Sequence, residues 1–266
     1  MSIMVFDIET VPDVDAGRRL YDMDDVDDAD VAKAMFAKRQ QQTGRDFLQH
    51  PLHQVVAISA VWQSASGVSV KPLGDESSSE AEIIQLFFNA LDKLPTIVSW
   101  NGGGFDLPVL HYRALKLGVQ APRYWERDSN DQSFKWDNYL SRYHWRHLDL
   151  MDVLAGFQPR ANAPLDMVAT MLGFPGKMGM DGSKVWSAFL DGKLQDIRDY
   201  CEHDVLNTYL VYLRFELMRG EINQVEYNDR CTQLLDELLS SEKPHLSEFA
   251  ELWAPDLDQH AQDASN

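Results

Sequence analysis

Asp7 and Glu9 stand two residues apart at the end of a short apolar run, Ile3-Met4-Val5-Phe6, with only Ile8 between them. Side chains along a strand alternate between faces, so the two acids project together while Ile8 turns back toward the core. Holding two carboxylates side by side costs free energy through repulsion and desolvation unless a cation sits between them or one takes up a proton. Two further segments carry acids at the boundaries of apolar runs. In Asn101-Gly102-Gly103-Gly104-Phe105-Asp106 the glycines permit a tight turn that delivers Asp106 at a helix start. Tyr200 and Asp204 are four residues apart, one helical turn, and share a face. The only cysteines, Cys201 and Cys231, form no spaced set, which argues against a disulfide framework or a thiolate zinc site. Any metal is then held by oxygen ligands, which suit Mg²⁺ and Mn²⁺.

The elements that must position these residues follow from patterning. The expected order is three strands, helix, strand, helix, strand, then helices. His53 to Gln63 and Gly67 to Leu73 are β-rich runs joined by a short turn, a hairpin that with Ile3 to Phe6 makes three sequential antiparallel strands. Residues 13–50 read as an acidic helical insertion containing one surface helix that Gly44 ends. Ser77 to Leu94 opens with serines suited to an N-cap and shows apolar residues at helical spacing. Thr96 to Asn101 is a short buried strand. Asp106 to Gly118 is a helix with Pro108 tolerated in its first turn, and His147 to Leu154 is a brief strand turning into a helix. The remainder is helical, closing with a helix from His245 to Trp253 and a loose tail beyond Pro255. Residues 1–220 are expected to form one α/β domain, with 221–266 as a helical extension.

At 266 residues and 44% hydrophobic content the chain can bury a substantial core. No stretch approaches the roughly 18 to 20 apolar residues that span a bilayer, and Met1 leads into the first strand without a basic leader, so a cytoplasmic location and no membrane partner are expected. A net charge of −18 argues against coating duplex DNA, whose binding draws on basic residues. The charge is uneven: acids crowd Tyr21 to Asp30, whereas Arg123 to Arg146 interleaves basic residues, Arg142 among them, with Trp125, Trp136, Tyr143 and Trp145. That stretch suits either tracking a single strand or filling a core.

Asp7-x-Glu9, Asn101 with Phe105 and Asp106, and Tyr200-x-x-x-Asp204 occur in the order that resembles the DEDD family of 3′-to-5′ exonucleases. Within it the chain is most similar to the proofreading exonuclease domain of family B DNA polymerases, standing alone. The position five residues before Asp204 is Asp199, which excludes the histidine subclass and leaves the tyrosine one. The resemblance runs from residue 3 to about residue 215 and implies a ribonuclease-H-like α/β fold with a mixed five-stranded sheet. It implies two divalent ions, Mg²⁺ or Mn²⁺, held by Asp7, Glu9, Asp106 and Asp204, whose four charges they cancel. Such a pair activates water and clamps the leaving 3′ oxygen of a phosphodiester. Tyr200 would orient the attacking water, and Ile8, Thr10, Asn101 and Phe105 would line the pocket of the terminal nucleotide. The implied reaction is hydrolysis at a single-stranded 3′ end, DNA ahead of RNA, releasing nucleoside 5′-monophosphates. A protein partner is one source of the nucleic-acid affinity that so acidic a chain lacks.

Three rival readings remain open at this level. An exoribonuclease differs by a 2′-hydroxyl that no residue identifiably reads. An aspartyl-nucleophile phosphatase also places an acid and a Thr after its Asp, as Glu9 and Thr10 follow Asp7, but gives no reason for Tyr200. A non-catalytic binding module would not need all four acids. Outside the motifs, Asp149 and Asp152 are expected to cap a helix, His203 to lie on the surface, and Lys177 or Lys184 either to meet a phosphate or to sit in a plain connection.

Overall fold

The computed structural model describes residues 2–127, 132–141 and 144–263. Five strands, β1 (Ile3–Pro12), β2 (His53–Ser64), β3 (Gly67–Pro72), β4 (Thr96–Ser99) and β5 (His147–Asp149), form one mixed sheet in the order β3-β2-β1-β4-β5. β1, β2 and β3 pair antiparallel and β4 and β5 add in parallel, the arrangement expected from the sequence.

β1 is longer than its apolar start suggests. It pairs with β2 from Ile3↔Gln63 to Pro12↔His53, with a register break between Glu9 and Thr10 that leaves Val56 without a partner. The acids therefore lie within the strand rather than closing it, because the long β2 pairs with β1 as far as Pro12. On its other side β1 meets β4 only from Ile3 to Val5. From Phe6 onward that side carries no strand, and Asp7 and Glu9 stand on the open stretch.

The insertion holds two helices, α1 (Val14–Tyr21) and α2 (Asp28–Thr43), where one was expected. Gly17 argues against α1 by propensity, yet the packing requires it: a Cβ there would come 2.4 Å from the Met35 sulfur. Next come α3 (Glu80–Ala90), opened by a Ser79–Glu82 capping box, and α4 (Asp106–Leu117), ended by Gly118 at φ 70°. Short helices α5 (Pro122–Trp125), α6 (Gln132–Trp136), α7 (Leu150–Leu154), α8 (Leu165–Met171) and α9 (Val185–Leu190) lead to α10 (Leu194–Met218), α11 (Gln224–Ser240) and α12 (Pro244–Asp263). α12 extends past the expected end at Trp253. Among the described residues no helix is long and apolar enough to cross a membrane.

Strand parity sorts the core. Met4, Phe6 and Ile8 pack with α3 and α4 on one face, while Ile3 and Val5 pack with α10 on the other. Asp7 and Glu9 share the parity of Val5, so they face α10. Tyr227, Leu234, Leu238, Phe249 and Trp253 from α11 and α12 join the same cluster as Val68, Val70 and Tyr209. The C-terminal helices thus complete the core on the α10 face, where each large buried side chain contributes roughly 1.5–3 kcal/mol.

His203, expected at the surface, is buried. Its Nε2 lies 3.2 Å from the carbonyl oxygen of His245, and its ring stacks on Phe249. The correction has a tertiary cause: α12 covers the face of α10 that helical spacing alone leaves open. In the basic, aromatic stretch both readings hold in part. Tyr124, Phe134 and Tyr139 are core, whereas Trp125, Trp136 and Trp145 are exposed. Arg142 and Tyr143 lie outside the described residues.

Candidate metal centre

Oxygens of Asp7, Glu9 and Asp204 all lie within 4.8 Å of one another. The first two arrive on one face of β1, and Asp204 is brought over them by α10, which packs on that face. Asp106 reaches the group from the opposite layer, at the first position of α4 just past the end of β4. It stands outside the tight trio, yet its charge is the strongest neighbouring one acting on Asp7. The amide N–H groups of Asp106 itself and of Ile8 point at its carboxylate.

Burial first, then the charges of Asp106, Asp204 and Glu9, hold the Asp7 carboxyl well above the usual carboxylate range. Glu9 is raised by burial, Asp204 and Asp106. Burial lifts Asp106 to about 7 and Asp204 to about 6, the latter against a lowering hydrogen bond from Tyr200. Burial and the surrounding acids push the Tyr200 phenol far above its ordinary value, so it stays a neutral donor to Asp204.

Two positive or weakly donating groups temper this charge. Lys177 lowers both Glu9 and Asp204. Its loop is fastened to α10 by Asn207, which accepts the Gly176 N–H at 3.0 Å and donates to the Gly176 carbonyl at 2.9 Å. Cys201 donates its thiol to the Asp7 carbonyl at 3.4 Å and to Asp7 Oδ2 at 3.6 Å. One lysine cannot balance four carboxylates. The oxygen-only donor set and the uncompensated charge fit hard divalent cations.

The other expected residues are distributed unevenly. Thr10 and Phe105 line a cavity that opens beside Glu9. Asn101 adopts φ 63°, a left-handed conformation that Asn tolerates, and its carbonyl accepts the Phe105 N–H at 2.9 Å. It opens the glycine turn and does not line that cavity. The Ile8 side chain is buried in the α3–α4 layer, so only its backbone N–H reaches the site. Its expected substrate contact through the side chain is corrected by strand alternation.

Asp149 does more than cap α7. It accepts the amide protons of Asn101 at 2.9 Å and Gly103 at 2.8 Å as well as that of Met151 at 3.1 Å. An acid ending a strand beside a glycine turn was the available signal. Lys177 was in view as a phosphate contact, but no local pattern told it from Lys184, whose ammonium pairs with Asp181.

Residues 45–253 match a family described as a predicted 3′-5′ exonuclease related to the exonuclease domain of PolB. The chain belongs to that family. Asp106, Tyr200 and Asp204 of this exonuclease family member fall inside the match, whereas Asp7 and Glu9 precede it and join the site by geometry. A stretch of 52 residues, 20% of the chain, is 40% identical to DNA polymerase 1 of Saccharolobus solfataricus and covers 5% of it. Another of 39 residues, 15% of the chain, is 49% identical to DNA polymerase 1 of Sulfurisphaera ohwakuensis and covers 4%. The chain thus spans a small part of the curated relatives that it matches. In structure it is similar to the family B DNA polymerase from the hyperthermophilic archaeon Pyrobaculum calidifontis, with TM-score 0.50 and 19% identity over 94% of this chain and 27% of that one. That likeness concerns the fold, which is ribonuclease-H-like.

Proposed function

We propose that the protein is a divalent-metal-dependent 3′-5′ exonuclease that hydrolyses the last phosphodiester of single-stranded DNA and releases nucleoside 5′-monophosphates. The observation that carries this reading is the convergence of Asp7, Glu9 and Asp204 within 4.8 Å beside a neutral Tyr200. The family description supports the polarity of attack.

Asp7, Glu9 and Asp204 would hold one divalent ion, and Asp7 with Asp106 the other. Bound there, the ions supply a nucleophilic water and neutralise charge on the leaving 3′ oxygen. The chain's own groups orient the reactants. Tyr200 donates to Asp204 and offers its hydroxyl oxygen to a proton of the attacking water. It is no general base, since its phenol holds its proton at neutral pH. Lys177 places positive charge on the Glu9 and Asp204 side, where the phosphate adds negative charge. Phe105 presents a ring for stacking on a base.

Digestion of a 5′-labelled single-stranded oligonucleotide tests the reading. The expected result is a ladder shortening from the 3′ end with Mg²⁺ or Mn²⁺ and absent with chelator. Products shortened from the 5′ end, or activity that survives chelation, would overturn it. Matched DNA and RNA oligomers decide the sugar, with DNA the expected substrate.

A further inference from the structure

A cavity of about 550 Å³ opens beside Glu9, between β1, the segment that follows α2, and α9. Glu9 belongs to both the acid cluster and the cavity, so whatever lies in the cavity abuts the reacting centre. Its walls include the rings of Phe47, Phe105 and Trp186.

Phe47 is 57% exposed, an unusual place for a large apolar ring at the edge of a charged site. It is nonetheless held. Its ring centroid lies 5.4 Å from that of Phe105 and 5.4 Å from that of His53, and its carbonyl accepts the Arg39 Nε–H at 3.0 Å. The same segment is tied to the glycine turn by His50, whose Nε2 lies 2.9 Å from the Gly104 carbonyl oxygen. Trp186 is backed by Phe189, with ring centroids 6.0 Å apart and planes within 20°. Flat apolar rings positioned in this way, partly open to solvent, suit a flat apolar occupant. Asp46 and Glu9 also line the cavity and repel a second phosphate, which favours a chain end over a continuing chain.

We infer that the segment after α2 supplies a stacking wall for the 3′-terminal nucleobase, which lies between Phe47 and Trp186 while its 5′ phosphate meets Asp7. The inference rests on the exonuclease reading and adds to it the contribution of α2 and its following loop; residues 13–44 lie outside the family match. Every base has a π-face, so such a wall selects an unpaired end without reading its sequence.

The test compares single-stranded oligonucleotides ending in an ordinary nucleotide or in an abasic 3′ residue, with wild type, Phe47→Ala, Phe47→Trp and Trp186→Ala in Mg²⁺. Phe47→Ala and Trp186→Ala should each lower kcat/KM on the base-bearing end by roughly 5- to 150-fold, chiefly through KM. They should lose much less on the abasic end, and Phe47→Trp should recover most of the loss. Because Phe47 is exposed, an unchanged melting temperature for Phe47→Ala separates a binding effect from unfolding. Equal losses on both ends, or none on either, would overturn the inference while leaving the exonuclease reading intact. Failure of the wild type to degrade either oligonucleotide would instead remove that reading, and this inference with it.

Discussion

Oδ2 of Asp149 accepts the amide N–H of Gly103 at 2.8 Å, joining the end of β5 to the turn that launches Asp106. The same carboxylate takes the Asn101 N–H at 2.9 Å and two amides at the start of α7. Removing it leaves four donors without this acceptor. Asp149→Ala should cost about 2–4 kcal/mol of stability, read as a lowered melting temperature. Activity should fall roughly tenfold to a hundredfold, as for other groups that orient ligands from behind. Asp149→Asn, which keeps one acceptor oxygen, should lose less of both.

The acids of the site are arranged for function at the expense of the metal-free fold. Asp7→Asn removes the charge that three other carboxylates face. Thermal melts in chelator at about pH 8 should show the variant more stable than wild type by about 1–3 kcal/mol. Nuclease activity should drop at least about a hundredfold. Equal or lower stability in chelator would contradict the repulsion described at Asp7.

The pH dependence has a definite sign. Asp106 and Asp204 titrate near about 7 and about 6 in the folded protein, against about 3.9 for an unfolded Asp. Across that window the folded state holds more protons than the unfolded chain, so stability in chelator falls as pH rises from about 4 toward 7. The loss is roughly 3 kcal/mol for a shift of this size. Below the window the trend reverses. Burial works against the Glu202 carboxylate, but hydrogen bonds from His245 and Lys243 win and lower it, so its contribution disappears on acidification. The chelated protein should melt highest near about pH 5. Cations require deprotonated ligands, so the increase in melting temperature on adding Mg²⁺ should grow from pH 5 to 8.

Tyr200 and Lys177 act on the same carboxylates in different ways. Tyr200→Phe removes a donor to Asp204 and a partner for water, and kcat should fall roughly tenfold to a thousandfold with little change in KM. The pH–rate profile should keep its shape, since the phenol does not titrate in the working range. Lys177→Met removes a charge that helps keep Glu9 and Asp204 ionised. The acidic limb of its profile should move to higher pH, a displacement that loss of a merely structural contact would not produce.

Local spacing was enough for the pairing of Asp7 with Glu9, the placement of Asp106 at a helix start and the shared face of Tyr200 and Asp204. Each depends on a repeat of two or 3.6 residues that the chain imposes on itself. The β2–β3 hairpin and the caps of α3 and α4 were legible for the same reason, because turn and cap chemistry acts over four or five residues. What lay beyond that range required the folded chain. Gly17 looks like a helix breaker until Met35 is packed against it, and His203 looks exposed until α12 arrives from 40 residues later. The length of β1, the grip of Asp149 on Asn101 and Gly103, and the approach of Lys177 to Glu9 are pairings between distant segments. The sequence by itself determined which side chains carry the chemistry and which face each takes. Only tertiary packing decided which faces meet, because the closure of long loops depends on the total burial of the core and leaves no mark at any single residue.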